Sequence, residues 1–223
     1  MPIGDKLREA RRSQNLSLRD LAAKTRVSAS LLSQIETGKT NPSVATLYNI
    51  AAAVALPVDY FLSDDNAVVG AATNGSAAAQ TDSPIAYATG DAPRSTARRA
   101  ISETQAAPRG IGPVVRGSHR AMIELMGGVT WARLTPGPEE QIEFLEICYA
   151  PNASSGGEMS HHSGREFGIV LEGELILELG FERYVLHPGD SVIFESTTPH
   201  RLTNPGQTSM RAIWVIFNTL YRT

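Results

Sequence analysis

At 223 residues the chain has room for one large or two modest domains, and with Cys148 as its single cysteine it excludes an intramolecular disulfide framework. No apolar run approaches the roughly 18 residues of a membrane span, and the opening MPIGDKLREARRSQ is charged and amphipathic, unlike a secretory signal, so a cytoplasmic protein is expected. The net charge of −3 divides unevenly: residues 1–63 carry eight Lys and Arg against five acids, whereas the remainder carries twelve Arg, no Lys and eighteen acids, so a polyanionic partner is expected for the N-terminal part alone.

Ile3, Leu7 and Ala10 recur at helical spacing and predict a first helix to about Gln14. Ser17 caps a second, LRDLAAKT, with Asp20 completing a capping-box start, and RVS then makes a tight turn. Ser28 caps a third, ASLLSQIET, which Gly38 stops. Ser43 caps a fourth, VATLYNIAAAVAL, which Pro57 ends. Two short helices joined by a three-residue turn and packed among others form a helix-turn-helix arrangement.

Residues 64–110 are rich in Ala, Ser, Thr, Gly and Pro and hold few large apolar side chains, which predicts a flexible tether. From residue 111 to 223 short β-rich runs alternate with turn signals: MIEL, VTWARL, QIEFLEICYA, EFGIVL, ELILEL, RYVL, SVIF, HRLT and RAIWVIF. So many short strands without intervening helices predict an antiparallel sandwich or barrel, with Cys148 as a small buried hydrophobe in a strand. The expected fold is therefore multi-domain, all-α then all-β.

LRDLAAKTRVSASLLSQIETGKTNPSVATLYNIAAAV, within residues 1–62, resembles the XRE-type helix-turn-helix family, related to lambda-type phage repressors and Cro. The resemblance implies that the third helix, capped by Ser28, enters the major groove of double-stranded DNA. Ala29, Ser30, Ser33 and Gln34 would then face base edges, with Gln34 able to bond bidentately to adenine. Lys39, Thr40 and Asn41 would hold phosphates. The family often places Gln where this chain has Leu18, so either phosphate binding is slightly weaker or that contact comes from Arg19. Arg11 and Glu36 match a scaffolding ion pair.

About residues 112–220 resemble the small-barrel cupins, which have a double-stranded β-helix or jelly-roll fold. His162, Glu166 and Gly173 match the second half of the first cupin motif, and Gly189, His200 and Asn204 match the second, whose Pro and Gly positions hold Glu195 and Thr197. Strand alternation would put His162 and Glu166 on the inner face, where His200 can join them. Such a 2-His-1-carboxylate set suits a divalent metal such as Fe, Zn, Ni or Mn. The remaining ligand position of the motif is Ser160, and His161 is expected to point outward. Without a metal, the same trio would be a hydrogen-bonded cluster that contacts an organic effector. Trp131 and Trp214 are read as core or as pocket lining, Arg165 as pointing outward, and Arg201 as solvated or at a subunit contact.

The two resemblances together imply a non-enzymatic, one-component transcription regulator. Its cupin domain would form a homodimer and sense a small molecule or metal, while paired helical domains hold a near-palindromic operator. The alternatives are a mononuclear-iron oxygenase or epoxidase that carries a helix-turn-helix domain, as in the fosfomycin-forming epoxidases, and a cupin used only for dimerisation. The absence of lysine from the β region speaks against a phosphonate clamp.

Overall fold

The computed structural model describes residues 1–62, 112–139 and 141–218; the expected tether of residues 64–110 lies outside the described residues. Four helices come first: α1 (Ile3–Ser13), α2 (Leu18–Thr25), α3 (Ala29–Glu36) and α4 (Val44–Ala53). Each of the last three starts where a serine hydroxyl accepts from the backbone N–H three residues on: Ser17 from Asp20, Ser28 from Leu31 and Ser43 from Thr46. Asp20 returns the bond to the Ser17 N–H, completing the capping box. Arg26 takes the left-handed conformation (φ 56°) that turns the chain between α2 and α3.

The fourth helix ends three residues earlier than its apolar pattern suggests. Proline at 57 disfavours helical geometry at Leu56, so the chain closes at Ala55 (φ 51°) and the Leu56 N–H bonds back to the Ala51 carbonyl at 3.1 Å. A 3-10 turn, Val58–Phe61, follows and carries Asp59. It has no counterpart in the sequence reading. Arg11 grips Glu36 with two bonds (2.6 and 2.9 Å) and also donates to the Leu16 carbonyl, tying α1 to α3 and to the loop before α2.

Among the described residues nine strands follow: β1 (Met122–Leu125), β2 (Val129–Arg133), β3 (Ile142–Tyr149), β4 (Arg165–Glu172), β5 (Leu175–Leu179), β6 (Glu182–Leu186), β7 (Ser191–Glu195), β8 (His200–Thr203) and β9 (Met210–Phe217). They form a six-stranded sheet of order β1-β2-β3-β9-β4-β7 and a three-stranded sheet of order β6-β5-β8, antiparallel throughout. The period-2 alternation is plain in β4 and β9. Glu166, Gly168, Val170, Ala212, Trp214 and Ile216 face in, whereas Phe167, Ile169 and Leu171 face out. Asn204 is fully buried and donates to the carbonyls of Tyr149, Ala150 and Thr208 while accepting from the Gly206 N–H, so one side chain ties its own loop to the end of β3.

Two sequence readings are corrected. Cys148 lies on the outward face of β3 beside Arg211 and is only half-buried, because its neighbours Ile147 and Tyr149 take the inner positions. Arg201 is not free in solvent. It forms a bidentate pair with Glu178 across the β5–β8 ladder at 2.6 and 2.9 Å. The helical and β parts pack as one compact unit. The Met126 N–H donates to the Pro42 carbonyl at 2.9 Å, and Arg133 at the end of β2 meets Asp59 of the 3-10 turn at 3.3 Å. Both of these side chains are almost wholly buried, at 4% and 2% exposed.

Candidate functional site

The inner faces of the strands enclose a small cavity lined by Trp131, Leu145, Tyr149, Trp214, Ile216 and the polar group His162, Glu166 and His200. Glu166 projects inward from β4 and His200 from the first position of β8. His162 arrives by another route than alternation along a strand. Residues 161–164 form a turn before β4, held by the His162 N–H on the Ser196 carbonyl (3.0 Å) and the Ser196 N–H on the Gly164 carbonyl (2.9 Å). Gly164 sits at φ +110°, and a Cβ there would lie 2.4 Å from the Phe217 carbonyl oxygen, so only glycine permits the turn that delivers His162.

The ligand-type atoms of the three residues lie within 4.8 Å of one another. His162 Nε2 is 3.1 Å and His200 Nε2 3.2 Å from Glu166 Oε1. Both imidazoles use the other nitrogen on a backbone carbonyl: His162 Nδ1 on Ser163 at 3.0 Å and His200 Nδ1 on Thr198 at 2.9 Å. Those bonds place a proton on each Nδ1, so it is the neutral form of each ring that presents a lone pair at Nε2. Three electron-pair donors therefore face one point. Buried His162 Nε2 and Glu166 Oε1 lie 3.1 Å apart without hydrogen-bond geometry between them, so both are available to a cation. The carboxylate's second oxygen is fixed by the Trp214 indole N–H at 2.7 Å. Gly168 makes that possible, since a Cβ there would lie 2.1 Å from the Trp214 ring.

Burial works against charge on Glu166, but its contacts with His162, His200 and Trp214 prevail and hold the carboxyl below its ordinary range. Burial likewise opposes protonation of His162, which Glu166 outweighs, so that imidazole titrates above its usual value. At His200 burial wins and the pKa falls. Ser160, at the missing ligand position, is buried at the edge of the trio. It exchanges backbone bonds with His200, and its hydroxyl lies 3.4 Å from His200 Nε2. His161 is exposed.

Sequence reasoning passed over the residue that closes this cavity. Tyr48, on α4, stacks on His162 with ring centroids 3.9 Å apart and planes 6° from parallel, and meets Trp131 edge-on at 6.1 Å. Its hydroxyl donates to Glu143 Oε2 at 3.4 Å, while Asn218 donates to Oε1 at 3.0 Å. Burial pushes the Glu143 carboxyl up to about 7 against the opposing pull of Asn218 and His162. Burial, then the neighbouring Glu143, keeps the Tyr48 phenol well above its usual pKa. At helical spacing Tyr48 reads as bundle core, and only the tertiary contact reveals the other role. Trp131 and Trp214 serve as core and cavity lining at once.

On the helical part, Ser30 and Gln34 are exposed on α3, with Ala29 and Ser33 half-exposed beside them, opposite the buried Leu32 and Ile35. The Ser28 hydroxyl is occupied in capping α3. Arg19 is exposed at the first turn of α2, whereas Leu18 packs on the core. Lys39 is exposed in the loop after α3, next to half-buried Thr40 and Asn41.

Residues 7–61 match the helix-turn-helix family and residues 145–216 the cupin domain. The HTH-type transcriptional regulator PuuR of Escherichia coli is 24% identical over 201 residues, which cover 90% of this chain and 86% of that protein. The transcriptional regulator ClgR of Mycobacterium tuberculosis is 44% identical over 62 residues, 28% of this chain and 55% of that one. A crystal structure of an HTH_3 family transcriptional regulator from Vibrio cholerae superposes over 96% of this chain and 94% of its own, with a TM-score of 0.57 and 20% identity, which extends the shared fold to both parts.

Proposed function

We propose that this chain, a helix-turn-helix domain followed by a cupin domain, is a DNA-binding transcription regulator whose cupin cavity senses a metal-dependent or organic signal. The observation that carries the reading is the proximity of two features. A solvent-facing α3 bears small polar side chains, and a buried three-donor pocket directly underlies α4 of the same helical bundle. Ser28, Ala29, Ser30, Ser33 and Gln34 form the groove face; Arg19, Lys39, Thr40 and Asn41 supply phosphate contacts.

His162, Glu166 and His200 would hold a divalent ion of the Fe, Zn, Ni or Mn kind. Two neutral imidazoles and a carboxylate fit such an ion, and Trp214 and the Ser163 and Thr198 carbonyls orient them. A bound ion would supply a fixed positive centre with open positions for an electron-pair donor.

Dimerisation is proposed through the outer face of the six-stranded sheet. There Phe144, Val215, Phe167 and Ile193 stand directly opposite one another across β3, β9, β4 and β7, with Ile169 and Leu171 alongside. Phe144, Phe167, Ile169 and Ile193 are 37–52% exposed, a contiguous apolar row suited to self-complementary pairing. Ile193→Asp is expected to weaken self-association by more than about tenfold, read by sedimentation velocity. Unchanged association would place the interface elsewhere.

The regulator reading is tested by selecting bound DNA from a random pool and titrating the winning site. Gln34→Ala is expected to cost about 1–3 kcal/mol at one base-pair position, while Lys39→Ala weakens all sequences alike and lowers the salt slope by about 1. A chain that selects no sequence, yet consumes oxygen when loaded with iron(II), would belong to the enzymatic class instead.

A further inference from the structure

We propose that Tyr48 is a built-in occupant of the cupin cavity, so that an organic effector and the docked helical domain compete for one space. This inference rests on the sensor reading above and adds to it the way the pocket is regulated. With α4 in place the cavity amounts to about 10 Å³, room for about one water or a single ion and for no organic molecule. The wall that reduces it is supplied by Val44 and Tyr48 of the DNA-binding part.

Tyr48 makes the contacts a ligand would make. Its ring lies flat on His162, a member of the three-donor group, and sits edge-on to Trp131. Its hydroxyl reaches the buried carboxylate of Glu143. Trp131 lines the same space with its indole N–H buried and without a hydrogen-bond partner, a polar group for which a core residue in a finished interior would have a mate. The chemistry that replaces Tyr48 is a flat or slender apolar body that carries a hydroxyl-type donor for Glu143. An acceptor on the same molecule would satisfy Trp131.

Entry of such a molecule requires the ring of Tyr48 to leave, and α4 moves with it. The bonds that seat the helical part, Met126 N–H to the Pro42 carbonyl and Arg133 to Asp59, lie at the same junction and go with it. The polar face of α3 is exposed in the docked state. Docking therefore leaves the groove-facing side chains free and fixes where they point. Release of the helical part abolishes the fixed spacing of two recognition helices in a dimer, which a two-half-site operator needs at about 34 Å. The direction of the response is set: effector entry releases DNA.

The experiment uses the full chain and 4-methylphenol, the tyrosine side chain as a free molecule, as the probe. Tyr48→Ala is expected to bind it at least about tenfold more tightly than the unaltered protein, seen by calorimetry and as a rise in melting temperature. Tyr48→Phe, which keeps the ring but gives up the bond to Glu143, is expected to bind the probe more weakly than Tyr48→Ala. A second arm locks the junction. A Cβ at Gly156 would lie 3.8 Å from that of Ala45 on α4, a disulfide-compatible separation. Ala45→Cys with Gly156→Cys is expected to oxidise readily and to abolish residual probe binding, which reduction restores.

Equal binding to the unaltered chain, Tyr48→Ala and the oxidised pair would overturn the proposal, as would failure of the cysteine pair to cross-link. The locked pair decides the matter if Tyr48→Ala does not fold. Absence of any selected DNA site would fell the regulator reading alone, because probe binding and cross-linking are read without DNA.

Discussion

Asp59→Ala is expected to loosen the helical bundle from the barrel at a cost of about 1.5–3 kcal/mol, the usual scale for losing a hydrogen bond to a charged group. Asp59 and Arg133 are 2% and 4% exposed and join elements 74 residues apart in sequence. Leu7, Leu21, Leu32, Ile35 and Leu47 are buried on the helices themselves, so the loss is expected to fall on docking more than on helix formation. Calorimetry is expected to resolve two melting steps where the unaltered chain shows one, and the Met126 amide is expected to exchange faster. Asp59→Leu combined with Arg133→Met should recover most of the loss, because apolar replacements of similar size avoid the cost of burying two charges. Equal destabilisation by the single and double changes would show that the pair contributes through shape alone.

Glu166→Gln is expected to lower divalent-metal affinity by more than about 100-fold, and Trp214→Phe by about 10- to 100-fold, the range found for groups that orient a metal ligand. The two changes separate distinct duties. Glu166 Oε1 faces both imidazoles, while Oε2 is held by the Trp214 indole. Removing the indole N–H leaves the ligand set complete and only loosens its aim. Competition titration against a chromophoric chelator, with metal content measured after purification, checks both. A Trp214→Phe protein that loses metal as fully as Glu166→Gln would show that the carboxylate cannot hold its orientation without the indole.

Much of this architecture is legible locally. Serines 17, 28 and 43 mark helix starts because a hydroxyl ahead of an apolar period has one favourable use, and the alternation in EFGIVL or RAIWVIF admits one buried face. The gathering of His162, Glu166 and His200 was also foreseen, although strand alternation is the wrong reason for His162. A glycine-dependent turn delivers it, and the cue lay in Gly164. What could not be read were contacts between distant segments. Tyr48 satisfies the helical period whether it is buried by its own bundle or by the barrel. Glu143 looks like one more polar residue in an alternating strand until Asn218 and Tyr48 converge on it. The 3-10 turn with Asp59 escaped notice because four residues after a proline show no periodicity to detect.

The face-to-face stacking of Tyr48 on His162 has a thermodynamic corollary. One imidazole serves the helical domain on its flat side and the three-donor group on its edge. An ion that stiffens that ring lowers the entropy cost of stacking, and stacking lowers the entropy cost of coordination. Linkage makes the two effects equal: whatever factor a metal contributes to docking, docking returns to metal affinity. If the proposed metal and organic signal both bind, a metal-loaded chain would set a higher concentration threshold for the organic signal than a metal-free one, and a single histidine would weigh the two inputs against each other.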